Sequence, residues 1–109
     1  MKRDVKYTMK DLPEGERPRE KLLNYGARSL SNSELIAIII RMGSREFSAI
    51  DLANKLLTIK EEGLPYLANA SIEEMTSVKG IGECKAAQVL AAIELGRRTV
   101  LENLKEKKK

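Results

Sequence analysis

Apolar residues recur at helical spacing from residue 18 to about residue 101, and three of these amphipathic segments open in the same way. In each, a serine stands three residues before a carboxylate. A serine at the N-cap accepts a hydrogen bond from a free backbone N–H, and the acid bonds back to the N-cap N–H. The three pairs are Ser31 and Glu34, Ser48 and Asp51, and Ser71 and Glu74. Together with Pro18, which suits a first helical turn, the pattern predicts helices over residues 18–25, 32–42, 48–61, 64–69, 71–77 and 83–101.

The predicted helices end near glycines. Gly26, Gly43 and Gly63 are each expected in the left-handed conformation just after a helix. One segment has two interpretations, because residues 35–40 are rich in β-branched side chains and resemble a buried strand. The Ser31 capping box before them and Gly43 after them favour a buried helix. We therefore predict an all-α fold, a compact bundle of about five or six short helices.

The two ends of the chain are predicted to lie outside this bundle. Val5, Tyr7 and Met9 alternate with polar residues, so residues 1–12 are expected to form an extended arm. The helical domain is predicted to span residues 13–101. Polar residues dominate after about Thr99, and residues 102–109 are expected to be a Lys-rich tail or a truncated linker at which the last helix frays.

Composition makes the core aliphatic and weakens any argument from bulk charge. Apolar residues make up 42% of the chain and aromatic residues 4%, so Leu, Ile, Val and Ala must fill the core. The net charge is +4, but residues 105–109 carry four positive charges and one negative charge, which leaves a net +1 for residues 1–104. A case for nucleic-acid binding must therefore rest on a local surface.

The residue inventory argues against catalysis. The chain has no histidine and one cysteine, Cys84, for which a structural or incidental role is favoured over a reactive one. The chain therefore lacks the residues for a catalytic zinc site and for a Ser-His or Cys-His nucleophile pair. We expect no enzymatic activity, metal or cofactor. The single cysteine and the lack of a secretory signal or a transmembrane-length apolar run predict a cytoplasmic location and no membrane partner.

The candidate functional element is the turn before the last predicted helix, Val78-Lys79-Gly80-Ile81-Gly82. Two glycines around an apolar residue permit positive φ and remove Cβ atoms that would hold a ligand away from the backbone. Ile81 is predicted to point inward. The following helix would then present free N–H groups and its positive dipole end, which suit a phosphate oxygen. The pattern is typical of a helix-hairpin-helix element, and the alternative is a plain helix–helix connection.

These features predict sequence-independent DNA binding through phosphate contacts. The predicted contact residues are Lys79, Gly80, Ile81, Gly82 and Lys85. Backbone contacts carry little sequence information, and one hairpin neutralises few phosphates, so binding should be weak and salt-sensitive. Glu83 is unfavourable for phosphate binding, because its side chain must point away from the phosphate. The alternative function is a protein–protein or interdomain docking module that does not bind DNA.

A degenerate second hairpin is a further hypothesis. Residues 43–50 align with residues 80–87 at an offset of 37, with the first glycine, a glutamate and an alanine coinciding. Ser44 replaces the inward-pointing isoleucine, and Arg45 replaces the second glycine. Ser44 and Arg45 are therefore secondary candidates for DNA contact, with Arg45 acting through its side chain. A chance alignment is the alternative.

Several short motifs resemble the N-terminal region of RadC-family bacterial proteins. They are the segments Arg17–Leu23, Leu30–Ala37, Arg41–Gly43, Gly80–Gly82 and Glu94–Arg98, and the resemblance covers roughly residues 10–100. It implies a helix-hairpin-helix region, arranged like RuvA domain 2 or a SAM-like domain and joined to a C-terminal JAB/MPN-type domain that resembles zinc metallo-isopeptidases.

The resemblance also implies a role and a partner. Since this chain lacks histidine for such a metal site, it is expected to act as the accessory domain. The family's name implies DNA repair as the process, with DNA and the C-terminal domain as partners. Arg97 and Arg98 have two interpretations: they cap the negative end of the last helix or extend a basic rim.

Overall fold

The computed structural model describes residues 17–107, and six α-helices lie in that range. They are α1 (Pro18–Tyr25), α2 (Asn32–Ile40), α3 (Ala49–Leu57), α4 (Leu64–Leu67), α5 (Ile72–Thr76) and α6 (Glu83–Lys107), with a 3₁₀ turn at Ala27–Ser29. The all-α prediction is confirmed, and residues 35–40 belong to a helix. The arm predicted over residues 1–12 lies outside the described residues.

All three predicted capping boxes are present, and they explain why the helix starts follow from the sequence. In each box the serine hydroxyl accepts from the backbone N–H of the acid, and the carboxylate accepts from the backbone N–H of the serine. The two distances are 3.1 and 2.8 Å for Ser31 and Glu34, 3.1 and 3.0 Å for Ser48 and Asp51, and 3.0 and 2.8 Å for Ser71 and Glu74.

Five of the six predicted helix ends differ from the observed ones. Helices α4 and α5 end at Leu67 and Thr76, two residues and one residue before their predicted ends. Helix α2 ends at Ile40 because Arg41 adopts a φ of 66°, which a right-handed helix does not allow. Helix α3 ends at Leu57, where the Thr58 hydroxyl donates to the Asn54 carbonyl oxygen at 2.7 Å. Helix α6 continues to Lys107, past the predicted end at residue 101, so that residues 102–107 are helical. Four of those six residues are Glu or Lys, which favour helix.

The expected left-handed glycine at position 43 is also wrong. Gly26 and Gly63 do adopt positive φ, at 89° and 71°, whereas Arg41 takes that conformation after α2. Gly43 is needed for a different reason, close approach. A Cβ built on it would overlap the Phe47 carbonyl oxygen and lie 2.8 Å from Ser48 Cα. The chain between α2 and α3 therefore closes on itself tightly.

The bundle is organised around α2, which packs against α1, α3 and α6. Helices α2 and α3 run antiparallel, since a hydrogen bond joins Ser33 at the start of α2 to Asn54 near the end of α3. The Gln88 side chain donates to the carbonyl oxygen of Ile39 at 3.2 Å. This bond joins the first half of α6 to the end of α2.

The core is aliphatic, as the composition predicts. Its buried hydrophobic residues are Leu30, Ile36, Ala37, Ile40, Ala49, Leu52, Ala53, Leu56, Leu67, Ala70, Met75, Ile81, Ala86 and Val89. Among residues 17–107, no polar or charged side chain is buried. Of the helices in that part of the chain, none combines the length and the apolar character that crossing a membrane requires.

Only the first half of α6 contributes to this core. Ala86 and Val89 are buried, whereas Val100, Leu101 and Leu104 are 59%, 43% and 51% exposed. At 100° per residue, these three side chains continue the helix face on which Ala86 and Val89 lie. The apolar face of α6 therefore runs past the bundle, and the other elements between residues 17 and 107 leave its second half exposed.

Candidate functional site

The turn between α5 and α6 has the inward-pointing apolar residue that the sequence predicts. Ile81 is 3% exposed and belongs to the core cluster, and Val78 packs against that cluster. The Ile81 backbone N–H donates to the Val78 carbonyl oxygen at 3.0 Å, which closes the turn. Burying Ile81 fixes the backbone on either side of it, so Gly80 and Gly82 lie at defined positions beside the start of α6.

Gly80 is required by the fold. Its φ is +96°, a conformation that side chains other than glycine rarely adopt. A Cβ built there would lie 2.7 Å from Leu52 Cδ2 and 3.1 Å from Ser44 Oγ. The dihedral angle and the close approach of Leu52 and Ser44 therefore both disfavour a larger residue.

Gly82 differs from Gly80, because it does not adopt positive φ. Within residues 17–107 only Gly26, Gly63 and Gly80 are glycines with positive φ. A Cβ built on Gly82 would meet no heavy atom within 4 Å, and the residue is exposed. Its carbonyl oxygen accepts the Ala86 N–H at 3.0 Å, so Gly82 is the N-cap of α6. The surrounding structure gives no packing reason for glycine here.

The first turn of α6 presents backbone donors to the outside. The first backbone N–H of the helix with an intramolecular acceptor is that of Ala86. In the described part of the chain, no group accepts from the N–H of Glu83, Cys84 or Lys85. These three donors, next to an exposed N-cap without a side chain, form the positive end of a 25-residue helix.

The two predicted lysines have different surroundings. Lys79 Nζ lies 2.8 Å from Glu46 Oε1, with side chains 72% and 53% exposed. Lys85, in the first turn of α6, is half-exposed and makes no ion pair with any residue between 17 and 107. The pairing of Glu46 with Lys79 was not predictable from the sequence, since 33 positions separate the two residues and no local pattern joins them.

The structure brings the secondary candidates next to the hairpin. Ser44 lies against Gly80, since its Oγ would be 3.1 Å from a Cβ built on that glycine, and the exposed Arg45 follows it. The loop is closed by two hydrogen bonds between Ser44 and Phe47: the Ser44 N–H donates to the Phe47 carbonyl oxygen at 2.8 Å, and the Phe47 N–H donates to Ser44 Oγ at 3.2 Å. The α2–α3 loop and the α5–α6 hairpin therefore form one continuous surface.

Cys84 and Gln88 lie one turn apart on α6. The Cys84 thiol is exposed and donates to Gln88 Oε1 at 3.8 Å, while the Gln88 amide bonds to α2 as described above. Gln88 thus fixes the start of α6 against α2. Sequence reasoning did not single it out, because an amide at this spacing has no distinguishing signal.

Arg97 and Arg98 do not cap α6. Both lie well before its end at Lys107 and bond to Glu94 on the preceding turn: Arg97 Nη2 and Arg98 Nε each lie 2.8 Å from Glu94 Oε2. Hydrogen bonds from Arg97 and then Arg98 lower the pKa of Glu94 to about 2. Glu94 therefore offsets one of the two positive charges that a basic rim would use.

Acidic and sulfur side chains do not converge on a metal-binding arrangement. No group of three or more Cys, Asp or Glu side chains within residues 17–107 could hold a metal ion.

Comparison with known proteins identifies the family. The model of the UPF0758 N-terminal family matches residues 9–87. UPF0758 proteins from Alkaliphilus metalliredigens, Caldanaerobacter subterraneus and Bacillus licheniformis are similar to this chain, with 58% identity over 93 residues, 52% over 101 and 54% over 90. These alignments cover 85%, 93% and 83% of this chain. No solved structure matches it.

The relatives are considerably longer than the region they share with this chain. The alignments span 40%, 43% and 40% of their lengths, so the chain spans about two fifths of the curated relatives it matches. The names of these relatives state no activity. The resemblance to the RadC family that the motifs carry is confirmed, and the chain belongs to the UPF0758 family.

Proposed function

We propose that this chain binds duplex DNA through phosphate contacts at the Gly80-Ile81-Gly82 hairpin, without reading the base sequence and without doing chemistry. The observation that carries the proposal is the first turn of α6, where the N–H groups of Glu83, Cys84 and Lys85 face outward beside Gly82. A phosphate oxygen is a strong acceptor for such donors, and the helix dipole favours its charge.

The open position at Gly82 supports the same function. Glycine at an exposed helix N-cap with no neighbour within 4 Å serves no packing purpose in the bundle. Glycine at this position does serve a ligand that must contact the backbone, because a side chain would keep that ligand away. Lys85 adds a charge in the same turn, and Lys79 adds another on the far side of Ile81.

The neighbouring loop supplies a second point of contact in this proposal. Arg45 is exposed and follows Ser44, which packs on Gly80. A phosphate on the hairpin would therefore lie beside a loop that can offer the Arg45 guanidinium and the Ser44 hydroxyl to a neighbouring phosphate. Such contacts position the protein on DNA but do not specify a sequence.

Within the family, the proposed role is that of an accessory region. Relatives contain further chain, which we propose to include the JAB/MPN-type domain that the RadC resemblance implies. The hairpin would hold that domain on DNA in the cytoplasm, and the chemistry would belong to the larger protein.

The test is fluorescence anisotropy of a labelled short duplex titrated across a salt series. We expect weak binding that falls with salt, and Lys85→Gln should make the slope of log K against log salt shallower by about 0.9. Lys60→Gln is the matched control, because it removes the same charge beyond the other end of α3. Absent binding at low salt would overturn the proposal, and equal loss of affinity in both variants would place the phosphate contact elsewhere.

A docking function is the second candidate, and the exposed apolar face of α6 favours it. Val100, Leu101 and Leu104 are uncovered by the other elements of residues 17–107. In this proposal the face packs against the further chain of the longer relatives. Amide hydrogen exchange of the aligned segment should then be slower in a full-length relative than in this chain. Equal exchange rates would remove the support for docking.

A further inference from the structure

The feature that the proposed function leaves unexplained is the carboxylate beside its own lysine. Glu46 Oε1 lies 2.8 Å from Lys79 Nζ, at the edge of the hairpin. Lys79 is one of the two lysines flanking the turn, so an acidic side chain stands where a phosphate oxygen would pair with it. A surface evolved only to attract phosphate would omit this charge.

Glu46 is held near Lys79 by the geometry of its loop. The two Ser44–Phe47 hydrogen bonds close a turn that contains Arg45 and Glu46. The close approach at Gly43 and the packing of Ser44 on Gly80 fix that turn against the hairpin. The backbone at Glu46 therefore has a fixed position relative to Lys79, which keeps the carboxylate close to the ammonium group.

Fold stability does not account for the pair. Both side chains are more than half exposed, and exposed ion pairs contribute little to stability because solvent screens them. The loop is already joined to the bundle by Ser44 and by Phe47, which packs against the core. The pair is better explained by its effect on what Lys79 can bind.

We propose that Glu46 competes with DNA phosphate for Lys79 and so lowers the affinity of the hairpin. This inference rests on the proposed function. In the free protein the carboxylate occupies the position of a phosphate oxygen at the ammonium group. DNA binding then requires the Glu46 carboxylate to leave, and the Lys79 ammonium group exchanges one anionic partner for another. The hairpin thereby binds DNA more weakly than its lysines alone would allow.

The effect of removing the carboxylate can be calculated from the strength of an exposed ion pair. Glu46→Gln should raise affinity for a short duplex by about two- to fivefold at low salt, the factor that corresponds to one such pair. It should also make the slope of log K against log salt steeper by up to about 0.9, because one more lysine is available to displace a counterion.

The experiment is a double-mutant cycle with a matched control. Duplex affinity is measured by anisotropy for wild type, Glu46→Gln, Lys79→Gln and the double variant, with folding of each checked by circular dichroism. Glu62→Gln is the control, since it removes the same charge in the exposed turn beyond the other end of α3.

The expected result is a gain for Glu46→Gln that exceeds the gain for Glu62→Gln and vanishes when Lys79 is also changed. A gain equal to that of the control, or one that persists without Lys79, would overturn competition and leave only net charge. Those outcomes leave the proposed function standing, because wild type still binds and Lys85→Gln still weakens it. Failure of all variants to bind at low salt would overturn both.

Discussion

Replacing Gly82 by serine should stabilise the fold while weakening DNA binding, and these opposite signs separate a binding site from a scaffold. Gly82 is the N-cap of α6, and a Cβ there meets no atom within 4 Å, so the serine fits without displacing any neighbour. Its hydroxyl can accept from the N–H of Cys84 or Lys85, the usual N-cap bond. The added side chain then occupies a donor that the phosphate would use.

The magnitudes of the two effects follow from this exchange. Serine and glycine at an N-cap differ by a few tenths of a kcal/mol, so the free energy of unfolding should rise by about 0.3 kcal/mol. A hydrogen bond to a charged acceptor contributes about 1.5 kcal/mol or more, and losing one to the serine hydroxyl should reduce duplex affinity roughly tenfold.

Urea denaturation followed by circular dichroism gives the first quantity, and duplex anisotropy at low salt gives the second. Gly96→Ser is the matched control: Gly96 lies within α6, is exposed and has no neighbour within 4 Å of a built Cβ. The Gly96→Ser variant should be stabilised through helix propensity alone, and its affinity for the duplex should be unchanged. If Gly82→Ser binds DNA as tightly as wild type, the phosphate does not lie at these N–H groups.

Three further predictions concern the fold. Gly80→Ala should lower the free energy of unfolding by about 1–3 kcal/mol because of its positive φ, and a shift below 0.5 kcal/mol in urea denaturation would contradict that dihedral angle. Met75→Ala removes a fully buried side chain and should cost about 2–5 kcal/mol, whereas Leu104→Ala, half exposed, should cost less than about 1 kcal/mol in the same assay. The pKa of Glu94 is lowered from 4.5 to about 2, so its contribution to the stability of the fold is present above pH 4.5 and lost as pH falls towards 2. Wild type should lose ellipticity relative to Glu94→Gln across that interval, and parallel curves would contradict the pairing.

The helix starts were predictable from the sequence and some helix ends were not, for one physical reason. A capping box is a local device whose donors and acceptors lie within four residues, so Ser31, Ser48 and Ser71 identify the starts directly. The end of α2 depends instead on a loop that must bring Phe47 back over Gly43. That requirement places positive φ at Arg41, which has no sequence signal for it.

The same distinction between local and distant contacts applies to the candidate site. The turn Gly80-Ile81-Gly82 was recognisable because its glycines and its buried residue are adjacent in sequence. Glu46 was not, because only the packing of Ser44 on Gly80 brings its loop to Lys79. Sequence also treated the two glycines alike. The structure shows that packing accounts for Gly80 alone, and this makes Gly82 the more informative position for a test of function.

The DNA-binding and docking proposals use opposite ends of α6 and can both hold. Leu104 lies 21 residues after Glu83, about 32 Å along the helix axis at 1.5 Å per residue. No phosphate on the hairpin reaches that far, and screening at moderate salt removes most electrostatic influence over such a distance. Changing Leu101 and Leu104 to serine should therefore leave duplex affinity and its salt slope at wild-type values. A fall in affinity in this still-folded variant would mean that the second half of α6 contributes to the DNA surface, and that the apolar face is not a separate docking site.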